Sequence, residues 1–330
     1  MSKSTVTVIL CNYNQAHWLP SSLEGIFSQT RPADEVLLLD DGSTDDSHAV
    51  FEHYASLNKN VRYLRNEVNR GLQYSIDRAL QAATGDYVVW AASDDRLLPH
   101  FLERSMAMLE RFPQAGLCFS ELAIMKGKEE RVERFAIDPN QGATFNLEQY
   151  PDYMAPETMR KHLRRRLIWM TSNSIVASRR AILEAGGFPP KLRWHSDYFT
   201  YTLIGYRYGV CRVPDMLCLM RANDDGYSAS GANNPKLQRR VLSSFLDALS
   251  DPRYANMRWL FLENPVLFSP FGDFFLKVAM TTPRHWDFVQ PYMRWMFEHR
   301  LGRPVEPREL WLKHLPRFLR ANFAPRLLAG

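Results

Sequence analysis

The sequence predicts an α/β fold, with a mostly parallel central sheet flanked by helices and a helical extension at the C-terminus. The first observation is an alternation of short apolar runs with stretches of helical period, the pattern of parallel strands joined by right-handed crossovers. The second is where those runs end. Glu35-Val36-Leu37-Leu38-Leu39 leads into Asp40-Asp41, and Tyr87-Val88-Val89-Trp90-Ala91-Ala92 leads into Ser93-Asp94-Asp95. The third is a change of character across residues 223–235, rich in Asn, Asp, Gly and Ser, beyond which the chain reads as helical, aromatic-rich and punctuated by proline. The expected division is residues 1–228 and 229–330.

Val6-Thr7-Val8-Ile9-Leu10-Cys11 is a β-branched run, a strand that ends at the polar Asn12-Tyr13-Asn14. Apolar residues then recur at Trp18, Leu19, Leu23, Ile26 and Phe27, a helical period that Pro32 breaks. A helix to about residue 57 follows the second strand, then the strand Val61-Arg62-Tyr63-Leu64 and a helix from Asn69-Arg70-Gly71. The continuous apolar run from Tyr87 is that of a strand covered on both faces. Residues 101–112 form a helix stopped by Pro113, and Gly116-Leu117-Cys118-Phe119-Ser120 a strand. Residues 126–166 are polar and mixed, with a basic cluster, Arg160-Lys161-His162 and Arg164-Arg165-Arg166, that reads as a solvated helix face. It lacks the interleaved aromatics of an RNA-binding patch. Ser174-Ile175-Val176-Ala177 is a strand, Arg179 opens a short helix ended by Gly186-Gly187, and Trp194-His195-Ser196-Asp197 opens another. Cys211-Arg212-Val213-Pro214 and Leu217-Cys218-Leu219-Met220-Arg221 are two final strands.

With 330 residues, 45% hydrophobic and 23% charged, the chain has the makeup of a globular protein with room for a large core and an appendage. The net charge of +5 resides in the tail: nine basic residues against four acids from Arg284 onward. That placement speaks against a nucleic-acid partner and for a basic C-terminal surface. None of the four cysteines sits in a Cys-x2-Cys pair, and each lies in or beside an apolar run, so buried free thiols are expected. No leader pattern and no run of eighteen apolar residues is seen, and a cytoplasmic setting follows as the expectation.

Open α/β sheets bind ligands in the crevice outside the carboxyl ends of their strands, so Asp94 and Asp95 sit where a site is expected. Paired acids there suit a hard divalent cation holding a substrate phosphate. Successive side chains near a strand end point to opposite sides, so the two acids are expected to do different jobs.

Three pieces, Val6 to Asn14, Asp40-Asp41-Gly42-Ser43-Thr44-Asp45, and Gly85-Asp86-Tyr87 leading to Ser93-Asp94-Asp95, stand in an order that resembles glycosyltransferase family 2. These are inverting nucleotide-sugar enzymes with the Rossmann-like GT-A fold, and the likeness covers roughly the first two-thirds of the chain. The resemblance implies a nucleotide-diphosphate sugar donor, most often a uridine one, and a divalent cation, Mn2+ or Mg2+, bridging the diphosphate. It implies Tyr13 beside the base, Asp41 accepting a hydrogen bond from the uracil ring N–H, Arg70 near the diphosphate, Asp94 on the ribose side and Asp95 on the metal. Each role has an ordinary rival: Tyr13 as a loop tyrosine, Asp41 as a helix cap, Arg70 as the start of a helix. Asp45 or Asp46 fills the cap role better than Asp41. Ser93 stands where a fuller Asp-x-Asp signature has its first acid.

The same resemblance makes Asp197 the base that takes the acceptor hydroxyl's proton, with capping of its own helix as the alternative. Ser196 precedes it where the family has Glu. His195 and Asn223 are weaker candidates, His195 for the acceptor or the phosphates. Arg221-Ala222-Asn223 lacks the histidine that related enzymes carry near the metal, and residues 223–234 read as a flexible lid over the donor.

Within residues 309–323, Trp311, Leu312, Leu315, Phe318, Leu319 and Phe323 share one helical side, with Lys313, Arg317 and Arg320 opposite and Pro316 as a kink. Such a helix suits a membrane interface and a lipid-linked or glycan acceptor, with the protein peripheral on the inner face of the membrane. The alternative is packing on the helical region or on a second copy in a homo-oligomer. Residues 260–280, interrupted by Pro265, Pro270 and Asp273, read as buried or interfacial helix. The resulting expectation is a metal-dependent inverting transferase in bacterial surface glycan or glycoconjugate synthesis. Its rivals are a catalytically inactive nucleotide-sugar-binding scaffold and a nucleotidyltransferase, although Asn12-Tyr13-Asn14-Gln15 is not a Gly-rich basic phosphate loop.

Overall fold

In the computed structural model, which describes residues 3–126, 130–134, 136–138, 143–144, 150–163, 167–168, 170–223, 226–317 and 320, the alternation builds one ten-stranded sheet. The elements are β1 (Val6–Asn12), α1 (Leu19–Phe27), β2 (Glu35–Asp40), α2 (Ser47–Leu57), β3 (Val61–Arg65), α3 (Leu72–Ala82), β4 (Tyr87–Ala92), β5 (Arg96–Leu97) and α4 (Phe101–Arg111). They continue with β6 (Leu117–Lys126), β7 (Arg131–Arg134), β8 (Ala136–Asp138), β9 (Ala143–Thr144), β10 (Tyr153–Met154), α5 (Pro156–Leu163), β11 (Ile175–Ser178), α6 (Arg179–Glu184), α7 (Ser196–Tyr208) and β12 (Val210–Arg221). Helices α8 (Tyr227–Ala232), α9 (Pro235–Leu249), α10 (Ala255–Glu263), α11 (Gly272–Ala279), α12 (Trp286–Leu301) and α13 (Pro307–Glu309) follow.

The strand order is β10-β12-β6-β11-β4-β1-β2-β3. Strands β1 to β4 are parallel, β11 runs antiparallel to both β4 and β6, and β12 runs parallel to β6. Val6, Val8 and Leu10 of β1 and Val36 and Leu38 of β2 are fully buried with Leu19, Leu23 and Ile26 of α1, one face of that helix. Each such aliphatic side chain contributes about 1.5–3 kcal/mol by leaving water. Gly25 lets α1 come down on the sheet, for a Cβ there would meet the Leu97 carbonyl at 2.8 Å.

The structure corrects the sequence reading in four places. The two expected final strands are one, β12, whose register slips between Val213 and Cys218, where Pro214 interrupts the ladder. Among the described residues between 126 and 166, polar as they are, the structure places β7 to β10 and α5. The expected lid is not all loop: Tyr227–Ala232 is helical, and Asp224 and Asp225 lie outside the described residues. At the far end, a π-helical turn over Leu310–His314 buries Leu310 and His314 and leaves Trp311 and Leu312 exposed. The apolar side predicted for residues 309–323 is therefore not the buried one there, and Phe318, Leu319 and Phe323 lie outside the described residues. All four cysteines are free, three of them buried.

The chain divides into two compact units, Met1–Met159 with Trp169–Ser230, and Arg160–Ile168 with Gly231–Gly330. The second has an aromatic centre: Phe268 stacks on Phe275 with ring centroids 4.1 Å apart and meets Phe261, Phe288 and Tyr292 edge-on or tilted. This accounts for the aromatic-rich sequence and for residues 260–280, where Pro265–Phe271 is 3-10 helix between α10 and α11. No helix among the described residues is long and apolar enough to cross a membrane.

Candidate active site

At the carboxyl ends of β1 and β2 the loops are stitched together by short polar side chains. The Ser43 hydroxyl accepts from the Asn14 N–H at 2.9 Å, and the Asn14 side-chain oxygen accepts from the Thr44 N–H at 2.8 Å. Asn14 takes a positive φ of 53°, a conformation Asn tolerates better than most residues. Asp41, buried, reaches across to the start of α3. Its carboxylate accepts from the Asn66 side chain at 2.6 Å and from the backbone N–H groups of Arg70 and Gly71 at 2.9 and 2.8 Å. The rival reading as a cap of the following helix does not describe it. Asp46 holds the cap position of α2, and Asp45 accepts from the Ser47 N–H. Arg70 is exposed, its guanidinium 4.8 Å from the centroid of the Tyr74 ring, and Tyr13 is exposed beside Asn14.

Beyond β4 the two acids differ, as the alternation of side chains demands. Asp95 is buried, its Oδ1 accepting from the Arg221 N–H at 2.8 Å and its Oδ2 from the Asn173 amide. Asp94 is half-buried, with the Asn223 amide 3.4 Å from its carboxylate. The Arg221 guanidinium donates to the Asp94 carbonyl and to Glu130 while lying 3.9 Å from the Trp18 ring centroid. Burial, and then the neighbouring Asp94 charge, push the Asp95 carboxyl up to about 7 against the hydrogen bonds from Arg221 and Asn173.

No three His, Cys, Asp or Glu side chains gather into a ligand set among the described residues. At the end of β4 a cation would meet the carboxylates of Asp94 and Asp95, a small donor set of the kind that suits an ion completing its shell with water and substrate phosphates. Burial and an adjacent acid both disfavour the charged form of Asp95, and a cation beside it would relieve that cost.

Asp197 lies in the first turn of α7 and accepts from the Ser172 hydroxyl at 2.8 Å and from the Tyr198 N–H at 2.7 Å. Burial raises its carboxyl above the usual carboxylate range, with the Ser172 and Tyr198 bonds opposing. The cap position of α7 is His195, whose ring lies 5.8 Å from that of Trp194, and Asp197, two residues on, takes up one first-turn N–H of the helix through its bond from Tyr198. Just before it, Arg193 takes φ 49° and ψ −120°, an expensive backbone for a residue with a side chain. Its carbonyl accepts from Ser196 and from Gln73 of α3, and its guanidinium stands over the rings of Trp194 and Tyr227.

The expected residues thus form two groups. Asp41 and Arg70 are joined directly, with Tyr13 next to the Asn14–Ser43 stitch. Asp94, Asp95 and Asn223 are joined to one another through Arg221 and direct bonds, and Asp95 is linked to Asp197 through the adjacent residues Ser172 and Asn173. Sequence reasoning missed Asn66, Ser172, Asn173 and Arg221. A charged residue closing the apolar run of β12 was the one local hint, since Arg rarely ends a buried strand without a partner.

The sequence model of the family described as Glycosyl transferase family 2 matches residues 7–187, more than half of the chain. EpsE of Bacillus subtilis (strain 168), a protein provisionally named a glycosyltransferase, is 36% identical over 107 residues, 32% of this chain and 38% of that one. The chain spans 31% to 38% of the length of three curated relatives it matches, EpsE among them. The structure of S. aureus TarS residues 1–349 in complex with UDP aligns at a TM-score of 0.59 and 16% identity, over 92% of this chain and 93% of that one. The mannosyltransferase PcManGT of Pyrobaculum calidifontis, solved with GDP-Man and Mn2+, aligns at 0.54 and 17% identity over 99% and 84%. By its motifs, its sheet and the family match, the chain belongs to glycosyl transferase family 2 and has the GT-A fold.

Proposed function

We propose that the chain is an inverting, metal-dependent glycosyltransferase that moves a sugar from a nucleotide-diphosphate donor, a uridine one, to a hydroxyl acceptor. The observation that carries this reading is the linkage of acids beyond the carboxyl end of β4 to one on α7: Asp94 and Asp95 after β4, and the desolvated Asp197 tied to Asp95 through Ser172 and Asn173. TarS, solved with UDP, and PcManGT, solved with GDP-Man and Mn2+, support a nucleotide-sugar donor and a cation.

Asp41 receives the base, with Tyr13 against it, and Arg70 meets the diphosphate. Asp94, steadied by Asn223, serves the ribose side, and Asp95 is the acid that would hold Mn2+ or Mg2+. When bound, the cation supplies positive charge to the leaving diphosphate. Asp197, ionised, takes the proton of the acceptor hydroxyl as that oxygen attacks the anomeric carbon from the face opposite the diphosphate. The bond from that carbon to the diphosphate oxygen breaks with its electron pair going to the nucleotide, and the configuration inverts. His195 lies two residues from the base and would face the acceptor.

The setting we infer is bacterial surface glycan or glycoconjugate synthesis, with a lipid-linked acceptor met at the cytoplasmic face of the membrane. Charge supports it: the second unit carries twenty Lys and Arg against eight Asp and Glu, the first twenty-one against twenty-eight. Three exposed tryptophans, Trp259, Trp286 and Trp311, also belong to the second unit, and indole rings favour membrane interfaces.

Calorimetric titration with UDP and Mn2+ tests the donor reading. Wild type is expected to bind and Asp95→Ala to lose the Mn2+-dependent part. No binding to wild type, or equal binding by the variant, would overturn it. A scaffold that binds but never releases UDP from any UDP-sugar would favour the inactive alternative.

A further inference from the structure

We propose that Ser172 and Asn173 are paired positioning residues, one turn that sets where the donor-side acid and the proton-accepting acid stand relative to each other. The inference rests on the donor reading above and adds the residues that couple its two halves.

The 3-10 turn Ser172–Ser174 is closed by the Ser174 N–H to the Thr171 carbonyl at 3.1 Å and by the Ser174 hydroxyl to the same oxygen at 3.2 Å. It leads directly into β11, which is hydrogen-bonded to β4 on one side and β6 on the other. The turn is therefore anchored to β4, the strand that leads to Asp94 and Asp95. From that base the Ser172 hydroxyl donates to Asp197 Oδ2 and the next residue's amide donates to Asp95 Oδ2. Neighbouring Cα atoms are about 3.8 Å apart, so two short side chains and two hydrogen bonds hold the carboxylates within ~15 Å. One bound nucleotide sugar can meet both.

Neither side chain is needed to close the turn, which Ser174 and Thr171 do, and neither is fully buried as a core filler would be. Each is instead the side-chain restraint on one acid whose second oxygen is held by backbone: the Arg221 N–H for Asp95 and the Tyr198 N–H for Asp197. Removing Ser172 or Asn173 frees one acid at a time while leaving the backbone bond in place.

The full chain would be compared as Ser172→Ala, Ser172→Thr and Asn173→Ala. Binding is read by titrating UDP with and without Mn2+, and turnover by UDP release from UDP-glucose and UDP-N-acetylglucosamine. Residues that orient metal ligands typically contribute tenfold or more. Asn173→Ala should weaken Mn2+-dependent UDP binding about tenfold and leave metal-free binding unchanged. Ser172→Ala should keep both affinities and KM but lower kcat about tenfold, and Ser172→Thr, which retains the hydroxyl, should restore it. Wild-type binding and turnover in both alanine variants, beside an inactive Asp197→Asn and an Asp95→Ala that has lost Mn2+-dependent UDP binding, would overturn the positioning role and leave the donor reading intact. Equal losses in every parameter with a lowered Tm and no rescue by threonine would also overturn it, as the mark of a folding defect. A wild type that neither binds UDP with Mn2+ nor releases UDP would remove the donor reading and this inference with it.

Discussion

Asp95 and Asp197 carry similar chemistry in different company. Both are lifted by desolvation, but Asp95 is lifted further by an adjacent carboxylate, whereas Asp197 accepts from the neutral Ser172 hydroxyl and Tyr198 N–H. As a base Asp197 works only when ionised, so the rate of UDP release from a UDP-sugar should rise with pH through a pKa above the ~3.9 of a free aspartate. Asp197→Asn should keep donor affinity, lose about 10²–10⁴-fold in rate and show no such rise. The linkage sign runs the other way for stability. A raised carboxyl favours the fold while protonated, and that contribution is lost as pH rises through the folded pKa. At neutral pH Asp197→Asn should therefore melt no lower than wild type, which thermal unfolding would check.

At the scale of elements, the loops after β2 and β3 are locked by Asp41 and by the closeness of Gly42 to Val68 and Asn69. Gly42 has φ 73°, and a Cβ there would meet the Val68 carbonyl carbon at 2.6 Å. Gly42→Ala should cost about 1–3 kcal/mol in denaturant unfolding, from the left-handed backbone and the clash together. It should also weaken UDP binding, because the strained turn is the one that aims Asp41. Strand β2 was legible as an apolar run, since burial on both faces leaves a continuous signature, whereas β3, at the end of the strand order, is only half-buried. The helix α8 was not: Gly226, Ser228 and Ser230 look like loop, while Tyr227 packs on Trp194 and under the Arg193 guanidinium, contacts made by a distant segment.

For the whole molecule, the uneven charge between the units makes a surface prediction. The chain should sediment with vesicles containing anionic lipid and not with neutral ones, and salt should release it, because exposed charges are screened beyond about 10 Å at 0.1 M. Trp259→Ala with Trp286→Ala should weaken that association. Equal binding to neutral vesicles would argue for apolar contact alone. The second unit also has an acid-sensitive point. His285 is buried, its pKa lowered by desolvation although Asp247 accepts at 3.0 Å and opposes the shift. Between that lowered pKa and the ~6.5 of a free histidine the unfolded chain binds more protons, so stability is lost as pH falls through this window. His285→Gln should flatten that slope in melting curves.

By itself the sequence determined the parallel strands β1 to β4, the acids that follow β2 and β4 and the helical character of the described residues from 235 to 317, because periodicity and strand-end composition are local and record burial directly. It also singled out Asp41, Asp94, Asp95 and Asp197. Which groups hold those acids was decided by the tertiary structure alone. The Arg221 N–H comes from 126 residues away and the Asn173 amide from 78, and no local pattern states that these segments meet. Packing of β11 between β4 and β6 places Ser172 and Asn173 against two acids. A hydrogen-bond partner is chosen by where the sheet sets a turn down, and that is a property of the assembled fold.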